Sequence, residues 1–112
     1  MPTTKPASIT LRAYDVGFGD CFLLSFHYGA GSDRHVLIDF GSMSLPEGKT
    51  VVGSGPYMER IAREIERDCG GALTAVVATH RHRDHISGFQ RDSSRQGPGA
   101  IIRALNPQLV VQ

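Results

Sequence analysis

The stretch at residues 73–88 reads LTAVVATHRHRDHISG and decides the fold. Its first part, Leu73 to Ala78, is largely apolar and β-branched, which predicts a short buried strand. Three histidines and an aspartate then follow within six positions. The sequence therefore predicts a polar loop where a central strand leaves its sheet.

The composition of this loop predicts a metal site. In an extended segment alternate side chains share a side, so His80, His82 and Asp84 are expected to converge. His85 breaks the alternation and requires a turn at Asp84. Imidazole and carboxylate groups together suit zinc, iron or manganese. The alternative is a basic, solvated turn, but three crowded imidazoles repel one another on protonation unless a metal cation replaces the protons.

A β-meander is expected upstream of the loop. Ile9 to Tyr14 alternates apolar and polar residues, and Cys21 to Tyr28 forms a second strand. Gly29 to Asp33 has the composition of a hairpin turn that leads to a third strand, His35 to Asp39. The three strands are predicted to lie on one sheet.

Helices are expected on either side of the 73–78 strand. A helix opens at Gly55-Pro56 and ends at Gly70-Gly71. Its apolar residues recur at helical spacing: Met58, Ile61, Ala62, Ile65 and Cys69. A shorter helix covers Gly99 to Leu105, and Leu109 to Val111 begins another strand. Helix followed by parallel strand is a βαβ crossover.

Several residues outside the loop have two readings. Asp39 ends an apolar strand, which suits a functional carboxylate or a turn residue that caps nearby N–H groups. His27 and His35 flank the hairpin and are predicted to be surface residues. The two cysteines, Cys21 and Cys69, are interpreted as core thiols.

Three motifs carry a resemblance to a known family. The segment THRHRDH at 79–85 resembles the T-H-x-H-x-D-H signature of the metallo-β-lactamase-fold hydrolases. VLIDFG at 36–41 is similar to the family's upstream strand, which ends in Asp and Gly. DVGFGDCFLL at 15–24 resembles the V-G-x-G-D opening of the branch typified by the extracytoplasmic domain of the DNA-uptake competence protein. The resemblance covers about Leu11 to Gly88.

The resemblance implies an α/β (α+β) fold that is the first half of a metallo-β-lactamase αβ/βα sandwich. Residues 1–8 are then a disordered leader, and residues 9–112 are the N-terminal half of the domain, a β-meander followed by a βαβ unit. The family's later metal ligands have no counterpart in the sequence. The missing C-terminal half is expected to come from a longer chain or from another subunit.

By the same resemblance, the site residues have separate roles. The metal ligands are His80, His82, Asp84 and His85, and Asp84 is also the catalytic residue. Asp39 and Thr79 support the ligands without binding metal. The cofactor is zinc, with two ions in the complete fold and manganese or iron as alternatives.

The implied reaction is metal-assisted hydrolysis of a phosphoester or related ester, as in a nuclease or phosphodiesterase. Two ligands for each ion are fewer than zinc normally takes, so residues 1–112 alone are expected to bind metal weakly and to hydrolyse little. The same motif occurs in thioester hydrolases of the glyoxalase II kind and in iron dioxygenases that act on persulfides. A non-catalytic interaction module that retains the fold is the alternative from another class.

Composition and net charge limit the classes of partner that the chain is expected to bind. The 112 residues are 40% hydrophobic and 21% charged, which is ordinary for a globular chain of one domain. A net charge of +1 leaves nucleic acid possible as a substrate but does not argue for it. No apolar run approaches the ~20 residues of a membrane span, and no secretory signal is evident. The sequence therefore predicts a cytoplasmic protein without a membrane partner. Arg91 and Arg95, in the polar segment after the loop, are interpreted as solvated, with contact to a substrate as the alternative.

Overall fold

The computed structural model of the protein describes residues 5–29, 32–44, 55–80, 86–89 and 97–112. These residues form a mixed α/β structure with five strands and two α-helices. In chain order the elements are β1 (Ser8–Ala13), β2 (Phe18–His27), β3 (Arg34–Ser44), α1 (Gly55–Asp68), β4 (Ala75–Val77), a 3₁₀ helix (Ser87–Phe89), α2 (Pro98–Ala104) and β5 (Leu109–Val111). Strand β1 begins one residue inside the predicted 1–8 leader.

The five strands form one sheet in the order β1-β2-β3-β4-β5. The first three pair antiparallel, whereas β4 pairs parallel to β3 and β5 parallel to β4. The predicted meander followed by a helical crossover is therefore confirmed. Because β3 and β4 are parallel neighbours, Val36 and Ile38 pair with Ala75 and Val77, and residues that follow β4 lie beside the later part of β3.

The third strand is longer than the sequence indicated. It was expected to end at Asp39 but continues to Ser44, still paired with β2. Cys21 pairs with Phe40 and Phe22 pairs with Ile38, so Asp39 is an extra residue that forms a β-bulge. Asp39 adopts a left-handed backbone with φ of 59°, a conformation in which aspartate is tolerated better than most residues. The bulge explains why a strand interrupted by a charged residue does not end there.

The core lies between one face of the sheet and the two helices. Leu23 and Leu37 from the sheet are fully buried, as are Met58 and Ile65 from α1. Each such side chain contributes about 1.5–3 kcal/mol by leaving water. Ile102 from α2 joins the same cluster. The helical spacing of the apolar residues therefore correctly predicted which side of α1 is buried.

Two hydrogen bonds from tyrosines hold α1 against the segment after β1. The Tyr14 hydroxyl donates to Asp68 Oδ2 at 2.8 Å near the end of the helix. The Tyr57 hydroxyl donates to the Asp15 carbonyl at 2.7 Å near its start. Burial and the neighbouring Asp68 carboxylate raise the pKa of Tyr14 above its ordinary value, so the phenol remains a donor. The helix is thereby oriented along the sheet.

The opposite face of the sheet is apolar across all five strands, and we call it the open sheet face. The pairing register assigns to it Ile9, Leu11, Phe22, Leu24, Phe26, Val36, Ile38, Val77, Leu109 and Val111. Leu11 is 63% exposed and Leu109 is 57% exposed. Both described helices contribute to the core on the other face. An exposed apolar surface this broad is unusual on a monomeric protein.

No helix in the described part of the chain is both long and apolar enough to cross a membrane.

Candidate functional site

A buried carboxylate connects β3 to the segment that follows β4. Asp39 is 2% exposed. Its Oδ1 accepts a hydrogen bond from the Thr79 backbone N–H at 2.7 Å, and its Oδ2 accepts one from the Thr79 hydroxyl at 2.6 Å. Hydrogen bonds to a carboxylate are about twice as strong as bonds between neutral groups. Asp39 therefore fixes both the backbone and the side chain of Thr79.

The Thr79 hydroxyl extends this connection to His80. Its oxygen lies 3.1 Å from His80 Nδ1. A hydroxyl has one hydrogen, and Thr79 gives that hydrogen to Asp39. The oxygen must therefore accept from His80 Nδ1–H, which assigns the tautomer and puts the imidazole lone pair on Nε2. Asp39, Thr79 and His80 form a directed chain of hydrogen bonds that orients the first predicted metal ligand.

A second attachment holds the chain just after the predicted ligands. The Ser87 hydroxyl accepts from the Ser42 N–H at 2.8 Å and donates to the Ser42 carbonyl at 3.0 Å. Ser42 is itself buried, and its own hydroxyl donates to the Val16 carbonyl. One serine side chain thus satisfies both backbone groups of another, which joins the 3₁₀ helix to β3.

Close packing reinforces this attachment. A Cβ placed on Gly88 would lie 2.5 Å from the Phe40 ring carbon Cδ2 and 2.7 Å from the Phe40 carbonyl oxygen. Only glycine allows the 3₁₀ helix to approach β3 this closely. The Phe89 ring meets the Phe40 ring edge to face, with centroids 5.6 Å apart.

The two attachments frame the predicted metal loop. His80 precedes residues 81–85 and Ile86 follows them, and both flanks are held on residues 39–42 of β3. The predicted ligands His82, Asp84 and His85 lie outside the described residues. Strand β4 ends at Val77, so the segment in which alternate side chains were expected to share a side begins beyond the strand. The convergence of the His80, His82 and Asp84 side chains stays a prediction.

Of the predicted site residues, the structure brings together Asp39, Thr79 and His80. Within the described ranges, no group of three or more His, Cys, Asp or Glu side chains could hold a metal ion. Cys21 pairs with Phe40, next to the bulge at Asp39. Burial raises the pKa of the Cys21 thiol, and the carboxylates of Asp39 and Asp20 raise it further. Cys21 is thus a protonated core thiol and a poor metal ligand at neutral pH.

The two histidines that flank the hairpin, His27 and His35, form side-chain hydrogen bonds that the sequence did not predict. His27 Nδ1 lies 2.7 Å from Asp33 Oδ2, and its Nε2 lies 2.8 Å from the Thr10 hydroxyl. His35 Nδ1 lies 2.7 Å from the hydroxyl of Ser25, which is fully buried. Both imidazoles are partly buried and hydrogen-bonded, so they are less exposed than is usual for hairpin histidines. They lie at the end of the meander away from Asp39, as expected.

A groove adjoins His80 on the helical side of the sheet. Thr79 and His80 line it together with residues of the 3₁₀ helix, α2 and β5. Arg103 of α2 also lines the groove, and sequence reasoning missed it. The signal was weak: Arg103 directly follows the apolar pair Ile101-Ile102 in a short helix. Arg91 and Arg95, the arginines for which the sequence allowed contact with a substrate, lie outside the described residues.

Comparisons with known proteins give no match to any protein-family model, to any curated protein sequence or to any solved structure.

Proposed function

We propose that this chain is the N-terminal half of a metal-dependent hydrolase with the metallo-β-lactamase fold, acting on a phosphoester or a related ester. The observation that supports this best is the hydrogen-bond chain Asp39–Thr79–His80. It joins two of the three motifs that carry the sequence resemblance, residues 36–41 and 79–85, at the edge of the sheet where the histidine motif begins. A solvated basic turn has no need of a buried carboxylate behind it.

The chemistry of the donor set fits a divalent metal. Metal-ligating histidines usually donate their other ring N–H to a fixed oxygen, which orients the ring and raises its basicity. The His80 Nδ1–H has such a partner in Thr79. His80, His82, Asp84 and His85 would hold the metal, with zinc favoured and manganese or iron as alternatives. A bound divalent ion would lower the pKa of a water molecule and stabilise negative charge on the ester.

The protein's own residues have positioning tasks in this reaction. Asp39 and Thr79 hold the His80 ring in one tautomer, and Ser42 with Ser87 fixes the far side of the loop. In the hydrolysis, a water oxygen forms a bond to the phosphorus or acyl carbon, the bond to the alcohol oxygen breaks, and the alcohol leaves with a proton. Asp84 is proposed as the catalytic carboxylate by the resemblance alone.

The open sheet face supports the proposal of a half-sandwich. Sheets that pack face to face bury apolar residues from both inner faces. The open sheet face presents an apolar layer of this kind, with Ile9 56% exposed and Val111 42% exposed. We propose that a second layer of sheet and helices covers it, supplied by a longer chain or by another subunit. That layer would also supply the remaining metal ligands.

The test combines metal binding with two sets of histidine substitutions. Titration calorimetry with zinc and with manganese should show weak binding to residues 1–112, abolished by His80→Ala with His82→Ala. The matched control is His27→Gln, which changes a histidine at the other end of the meander and should leave metal binding intact. Hydrolysis of bis(p-nitrophenyl) phosphate by this chain alone should be slight.

Two results would contradict the proposal. Metal affinity that is the same with and without His80 and His82 would place the ion elsewhere. A parent protein that binds no metal, together with a His80→Ala, His82→Ala variant that still binds a partner protein, would instead indicate a non-catalytic interaction module. Elemental analysis showing iron in place of zinc would favour the persulfide dioxygenase alternative.

A further inference from the structure

The groove beside His80 has a chemical character of its own. Ile102 of α2 and Val110 of β5 form part of its walls, and Ile86 and Phe89 close it near the 3₁₀ helix. Val110 is 59% exposed although it lies on the helical side of the sheet. The groove therefore offers an apolar surface that a ligand could cover, directly next to the first predicted metal ligand.

Arg103 gives this apolar groove a positive charge. Among the described residues that line it, Arg103 has the only side chain with a permanent charge. Arg103 is exposed, in the last turn of α2. No salt bridge joins Arg103 to an acidic side chain in the described part of the chain. A guanidinium is planar and presents a fork of donors that matches the two oxygens of a phosphate.

We propose that Arg103 binds the anionic group of the substrate and determines its specificity. The substrate is then an ester that combines a negatively charged phosphate with an apolar alcohol, such as an aryl or alkyl phosphoester. The phosphate contacts Arg103, and the apolar group lies against the exposed side chain of Val110. This inference rests on the proposed hydrolase function, because that function makes the groove a substrate site.

The charge pattern favours this ligand over the alternatives. A neutral ester would leave Arg103 without a partner and gain nothing from it. A long polyanion would need several cations in a row, and the described residues that line the groove include one arginine and no lysine. A single phosphate with an apolar substituent uses both features at once. Thr79 and His80 line the same groove, so the ester would lie next to His80, the first proposed metal ligand.

The binding step can be tested without metal. Phenyl phosphate is titrated into the protein in the presence of a chelator, and the methyl resonances of Ile102 and Val110 are followed by NMR. Both resonances should shift on binding. Arg103→Ala should raise the Kd for phenyl phosphate about tenfold, which corresponds to a loss of roughly 1.4 kcal/mol of binding free energy. The Kd of Arg103→Lys should lie between those of the parent and Arg103→Ala, because lysine keeps the charge but lacks the planar fork of donors.

Controls separate charge from position and binding from catalysis. Arg63→Ala removes an exposed arginine of α1 that pairs with Glu66 and should leave phenyl phosphate binding unchanged. Phenol, which lacks the phosphate, should bind parent and Arg103→Ala equally weakly. The chelator removes metal, so the titration reports binding of phenyl phosphate and not its hydrolysis.

Each outcome bears on one proposal. An unchanged Kd in Arg103→Ala, or no shift at Ile102 and Val110, overturns the role of Arg103. Binding of phenyl phosphate that depends on Arg103, in a protein that binds no metal, would overturn the hydrolase function and leave Arg103 as an anion-binding residue of another kind of site.

Discussion

Replacement of Asp39 tests whether the bulge and its hydrogen bonds hold the site together. Asp39→Asn keeps a residue that tolerates the left-handed backbone, so the φ of 59° adds no strain. The amide has one acceptor oxygen where the carboxylate has two. One of the two Thr79 donors, at 2.7 Å and 2.6 Å, must then face an NH₂ group.

The expected cost follows from these contacts. Loss of one hydrogen bond to a charged, buried acceptor lowers the free energy of unfolding by about 1–3 kcal/mol. Asp39→Ala loses both bonds and also places an alanine in the left-handed region, which adds about 1–2 kcal/mol. The total for Asp39→Ala is roughly 3–8 kcal/mol. Asp39→Ala should thus be clearly less stable than Asp39→Asn.

Urea denaturation followed by circular dichroism measures this series, with equal m-values required for the comparison. Thr79→Ser keeps the hydroxyl and serves as the matched control, with an expected change under about 0.5 kcal/mol. Thr79→Val removes the hydroxyl and should resemble Asp39→Asn. If Asp39→Asn is as stable as the parent, or if Asp39→Ala is no worse than Asp39→Asn, the hydrogen-bond chain does not stabilise the fold as described.

Three further predictions concern other contacts of the site and the meander. Gly88→Ala forces a methyl group against the Phe40 ring and carbonyl and should cost about 1–3 kcal/mol in urea denaturation; a neutral result would contradict the close approach. Ser87→Ala leaves the N–H of buried Ser42 without its 2.8 Å partner and should cost about 1–2 kcal/mol, whereas Ser32→Ala, at an exposed position, should cost nothing measurable. Burial lowers the pKa of His35 below its ordinary 6.5, with His27 and Arg12 acting in the same direction and Asp33 opposing them. Because unfolded His35 then takes up its proton at a higher pH than folded His35, the free energy of unfolding should fall as pH drops below about 6.5, and His35→Gln should reduce that slope; an identical slope in the variant would rule out this source.

The sequence by itself determined the type of the main elements and the position of the histidine cluster. The alternation of β1, the apolar spacing of α1 and the glycines after it are local patterns, so they predicted the type of each element and most of its bounds. The crossover from β3 through α1 to parallel β4 also follows from the order of the elements. Three histidines and an aspartate in six positions are visible without any coordinates.

Only the tertiary structure decided how the site is supported. Asp39 and Thr79 are 40 residues apart in sequence, and Ser42 and Ser87 are 45 apart. Whether such pairs meet depends on the register between β3 and β4 and on the extra residue that the bulge at Asp39 adds to β3. The position of Arg103 beside His80 likewise depends on how α2 packs on the sheet. Periodicity in a sequence reports which neighbours share a face, whereas contacts across strands depend on pairing, which one extra residue can change.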